Sequence, residues 1–81
     1  GLTLNSTNKI MFNDASQFIQ GSSATVLALG ATDEIDLTAT LIDINGNADV
    51  SGTVTATGTS VFASLDISGD IDVDGTANLD V

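Results

Sequence analysis

The sequence predicts an all-β chain of very short strands, arranged as a β-helix or β-prism, and three observations carry that expectation. Apolar and polar residues alternate with period two, the alternating stretch is duplicated, and glycine returns every sixth residue within each copy. From Ile42 to Gly58 all nine even positions are apolar or glycine and all eight odd positions are polar. From Leu65 to Val81 the same holds with the parity reversed. Laid over one another at an offset of 23, "IDINGNADVSGTVTATG" and "LDISGDIDVDGTANLDV" share seven of seventeen residues. Successive side chains of a strand point to opposite faces, so this pattern turns one row inward and leaves the other in water. No helical stripe competes with it.

The elements follow in chain order. Residues 1–34 are the less regular part, in which Leu2/Leu4, Ile10/Phe12, Phe18/Ile19 and Val26–Leu29 read as short strands separated by turn-forming "NSTN", "NDAS" and "GSS". "NDASQFIQ" also offers an N-cap and is long enough for one helical turn. Residues 35–81 form the repetitive shaft, which contains both copies. In it Ile35, Leu37, Ala39 and Leu41 run on odd positions, and the parity slips at Leu41/Ile42 and again across "TSVFAS" (Thr59–Ser64). Each slip requires a bulge or a change of direction. The hexapeptide unit, with two inward side chains and a glycine, describes one short side and its corner. Glycines 46, 52, 58, 69 and 75 mark those corners. Asn45–Gly46 has the composition of a two-residue hairpin turn. A hairpin there would set Ile44 opposite Asn47 on one face, so the sequence predicts a chain that keeps running and bends.

Three apolar pairs per copy (42/44, 48/50, 54/56 and 65/67, 71/73, 77/79) make three sides, enough for one triangular layer. Either one chain closes each triangle, or three chains share each layer around a three-fold axis. Composition favours the second. Eighty-one residues with three aromatics (Phe12, Phe18, Phe62), no Trp or Tyr and no cysteine make a small core, yet 42% of the chain is hydrophobic. Two layers alone would leave open strand edges, which further copies cover. The chain lacks an initiator Met and its alternation runs to Val81, so we expect a fragment of a longer protein. Eleven acids against one base, Lys9, repel nucleic acid and anionic membranes, and neither is an expected partner.

The residues that resemble chemical sites each have a plainer explanation. Asp70, Asp72, Asp74 and Gly75 read D-x-D-x-D-G, the opening of a calcium-binding loop. Such a loop needs a glutamate at its twelfth position, where this chain has Val81, and the other copy keeps one aspartate of the three. The strand period explains the spacing; only carboxylates gathered from several chains would hold an ion. Asp33, Glu34 and Asp36 offer a carboxylate pair for glycoside hydrolysis. With no His, Cys or Tyr to accompany them, a solvated turn is the expectation. The row Thr53, Thr55, Thr57, Thr59 resembles an ice-binding array, but only Thr53 recurs in the second copy, as Thr76. Asn5–Thr7 matches the N-glycosylation triplet by composition alone. We therefore expect no enzyme, no catalytic or cofactor-binding residue and no metal ligand.

Two phrases carry a resemblance. "NKIMFNDASQFIQGSSATVLALGATDEIDLTATLIDINGNADVSGT" (Asn8–Thr53) resembles a sequence type common in tail-fibre and other structural proteins of marine bacteriophages. "LDISGDIDVDGT" (Leu65–Thr76) is similar to the repetitive shafts of such fibres. The resemblance implies an elongated, intertwined parallel homotrimer in the virion, outside the cell, serving host attachment as a rigid shaft. Its implied partners are its own copies, other fibre or baseplate proteins and a host surface glycan. No fibre-tip motif matches, so no functional residue is carried over. The alternatives are a receptor- or carbohydrate-binding part of a tailspike and, third, an ice-binding solenoid, which absence of thermal hysteresis would exclude.

Overall fold

The computed structural model describes residues 1–80, and in them the chain is all-β, with no helix. It separates into two units, Gly1–Asn47 and one beginning at Ala48.

The strands lie in the first unit and form one antiparallel sheet. They are β1 (Ile10–Phe12), β2 (Asp14–Gly21) and β3 (Leu27–Gly30), in the spatial order β1-β2-β3. Ile10/Phe12, Phe18/Ile19 and Leu27–Leu29 therefore fall on strands, and Asp14–Gly21 extends as β2 instead of making a helical turn. Leu2 and Leu4 lie outside any strand.

Tight local chemistry makes the first turn. Asn13 joins β1 to β2 with φ of 69°, in the left-handed region that costs most side chains about 1–2 kcal/mol and that Asn tolerates. Beyond it the register jumps, from Phe12↔Asp14 to Met11↔Phe18, so Ala15, Ser16 and Gln17 bulge out of the pairing. Three side-chain hydrogen bonds hold the bulge. The Asp14 carboxylate accepts from the Ser16 N–H and hydroxyl at 2.8 and 2.6 Å, and the Asn13 amide donates to Gln17 Oε1 at 2.7 Å. The second connection, Ser22–Val26, is closed by the Ser22 N–H donating to the Val26 carbonyl at 3.0 Å.

Register then sorts the side chains. Ile10, Ile19 and Leu29 form one cross-strand row, and Met11, Phe18 and Gly30 form the next, on the opposite face. The N-terminal segment lies against the Phe18 face. Gln20 Nε2 donates to the Ser6 carbonyl at 2.7 Å, and Lys9 Nζ stands 4.2 Å from the centroid of the Phe18 ring. Phe18, Gln20, Ala28 and Gly30 are accordingly half-buried, yet no described residue is fully buried. This sheet has a covered face and no core.

The repeats depart from expectation. Residues 31–80 carry no strand, and the one sheet among the described residues is antiparallel, whereas the hexapeptides predict parallel coils. The chain bends at Gly46 without turning back to pair, as parity required. The side chains predicted to point inward are in water: Val54 is 72% exposed and Ile71 68%. A strand needs a neighbour for its N–H and C=O groups, and among the described residues the repeat finds none.

Candidate functional site

The residues with site-like geometry surround a cleft of about 380 Å³ beside the sheet. Phe12, Ile19, Leu29 and Ile35 line it with apolar surface, and Glu34 and Asp36 add two carboxylates. Two neighbouring cross-strand pairs, Ile19–Leu29 and Phe18–Gly30, contribute to its lining. The segment after β3 supplies Glu34, Ile35 and Asp36. Of the acidic trio, Asp33 stays outside the lining, and Asp36 accepts a hydrogen bond from the Thr38 hydroxyl at 2.9 Å. An apolar wall with carboxylates can seat a ligand of mixed character, such as a sugar face. Both acids are exposed.

The other candidates lie apart from the cleft lining. Asp70, Asp72 and Asp74 are exposed, and among the described residues no three acidic side chains gather as a metal-holding group. Thr53, Thr55, Thr57 and Thr59 are exposed on a segment without strands. Asn5 is folded in on its own triplet: its carboxamide oxygen accepts from the Thr7 hydroxyl at 2.7 Å and from the Thr7 N–H at 3.2 Å. Among the described residues no helix is long and apolar enough to cross a membrane.

Two features escaped the sequence reading. One is the stack of Lys9, Phe18 and Gly30, in which the chain's single base lies over an aromatic face; such a contact contributes about 0.5–1 kcal/mol at an exposed site. A tight turn at Asn13–Asp14 was the signal that would have brought Lys9 near Phe18. The other is Asp14, whose two donors from Ser16, the hydroxyl first and then the N–H, hold its carboxyl below the ordinary aspartate value. Its folded value being depressed, its stabilising effect on the bulge is full above the unfolded value and fades as pH falls through the folded one. Ser16→Ala is expected to move the Asp14 carboxyl titration, followed by NMR, back up toward an ordinary aspartate. An unchanged titration would refute that cause.

What this architecture defines is an all-β chain in which a small antiparallel sheet with a cleft precedes an acidic, glycine-cornered repeat. No family model, curated protein or solved structure matches it.

Proposed function

We propose that the chain is a structural segment of a phage tail fibre or tailspike, in which three parallel copies wrap their repeats into a rigid β-helical shaft for host attachment. One observation carries the reading: the unbroken alternation of residues 42–58 and 65–81 presents an apolar row that its own chain leaves uncovered. The chain's total accessible surface is also large for its mass. A compact protein of 8.1 kDa exposes about 4,500 Å² by the scaling of surface with mass, and this chain exposes 8078 Å². The surplus is several times the roughly 800 Å² that one partner contributes to a standard interface. Three-fold wrapping would cover it, pair the free backbone groups and bring small residues (Ala48, Ala56, Ala77) to a narrow axis. On this reading the segment sits in the virion, contacts its own copies and other fibre or baseplate proteins, and catalyses nothing.

Light scattering tests it. A mass of about 24 kDa, three times the chain's 8.1 kDa, supports the shaft, and a stable 8.1 kDa species defeats it. The cleft favours a second reading, a glycan-engaging part of a tailspike, because apolar walls beside Glu34 and Asp36 suit a sugar's two faces.

A further inference from the structure

Asn45 and Gly46 form the chain's one Asn-Gly pair among its six asparagines. Asn45 is exposed, the backbone bends at Gly46, and the Gly46 N–H has no acceptor among the described residues. Nothing lies within 4 Å of the position a Cβ on Gly46 would occupy. A glycine nitrogen that is free of hydrogen bonds and unhindered, on a residue with wide φ/ψ freedom, can approach the preceding side-chain carbonyl.

The geometry points to Asn45 as a site of spontaneous backbone modification. The Gly46 nitrogen, having lost its proton to solvent base, attacks Cγ of Asn45. A C–N bond forms, the Cγ–Nδ2 bond breaks, and ammonia leaves, so that a five-membered succinimide spans residues 45 and 46. Water then opens the ring at one of its two carbonyls. Attack at Cγ leaves aspartate on the original backbone; attack at the α-carbonyl leaves isoaspartate, whose main chain runs through Cβ and Cγ. No oxidant or cofactor takes part.

The other asparagines are poorer candidates, for identifiable reasons. The Asn5 carboxamide oxygen accepts two hydrogen bonds from Thr7, and the Asn13 amide donates to Gln17. Asn8, Asn47 and Asn78 precede Lys9, Ala48 and Leu79, whose side chains crowd the ring closure. The consequence rests on the shaft reading. Isoaspartate inserts one extra backbone carbon between Ile44 and Gly46, so the inward row on either side of the corner loses its common parity. Converted chains would then be refused by the trimer, making the site a clock that marks aged, unassembled chains.

The test incubates the full chain at mildly alkaline pH and maps its peptides by mass spectrometry, with isoaspartate methyltransferase labelling to identify the linkage. Conversion at Asn45 should run ahead of conversion at Asn47 in the same molecules, and Gly46→Ala should reduce it to the Asn47 rate. Equal loss at Asn45 and Asn47 in the unsubstituted chain would overturn the site. Light scattering with mapping of each fraction separates this inference from the shaft reading. Isoaspartate confined to an 8.1 kDa fraction beside an unmodified trimer supports the clock, and isoaspartate within the trimer refutes it. Conversion in a chain that never forms a trimer leaves the modification site standing and removes the clock with the shaft.

Discussion

Val54→Asp is expected to leave the proposed three-fold shaft as single chains, while Thr55→Asp, one residue along, lets it assemble. The two variants add the same charge to the same stretch of an already acidic chain, whose net charge is −10. They differ only in parity. Val54 belongs to the apolar row of the first copy and Thr55 to its polar row. Burying an unpaired polar group costs about 1–3 kcal/mol and a charge costs more, so three symmetry-related carboxylates would remove at least about 3–9 kcal/mol from the assembly. Thr55→Asp adds only screened repulsion in water. Sedimentation or light scattering reads the outcome as mass. Two variants that behave alike would show that alternation does not direct assembly.

Gly30→Ala should unfold much of the antiparallel sheet. Gly30 is the cross-strand partner of Phe18, and a Cβ built on it would clash with the edge of the Phe18 ring. Moving the ring aside would give up its contact with Lys9. Overpacking of this kind costs about 1–3 kcal/mol. That matters more here than in a larger domain, since a three-stranded sheet with no fully buried side chain has little stability to lose. Amide exchange at β2 and β3 would report the loss. In a Phe18→Ala background the same substitution should be nearly neutral, and equal costs in the two backgrounds would show that the ring is not the obstacle.

Much of the sheet was legible in the sequence, although its pairing was not. Ile10/Phe12, Phe18/Ile19 and Val26–Leu29 mark where β1, β2 and β3 form, because short apolar runs between turn-formers leave few other conformations. The register was hidden in a side-chain detail. Asp14 binding Ser16 and Asn13 binding Gln17 absorb three residues into a bulge, and no period-two count anticipates that. The cleft was half legible. Asp33, Glu34 and Asp36 stood out as an acidic cluster, but which of them would meet Ile19 and Leu29 depended on how the chain leaves β3.

The sequence by itself determined an all-β chain and the apolar segments on which its strands near the N-terminus form. Those properties are local, since they follow from whether neighbouring side chains share a face. Only the tertiary structure decided that the sheet is antiparallel, that Lys9 and Gly30 meet across Phe18, and that the repeats stay unpaired within one chain. Alternation can specify which row will be buried but cannot bury it. A strand becomes a strand when another backbone accepts and donates its hydrogen bonds, and in residues 31–80 the chain provides no such backbone to itself.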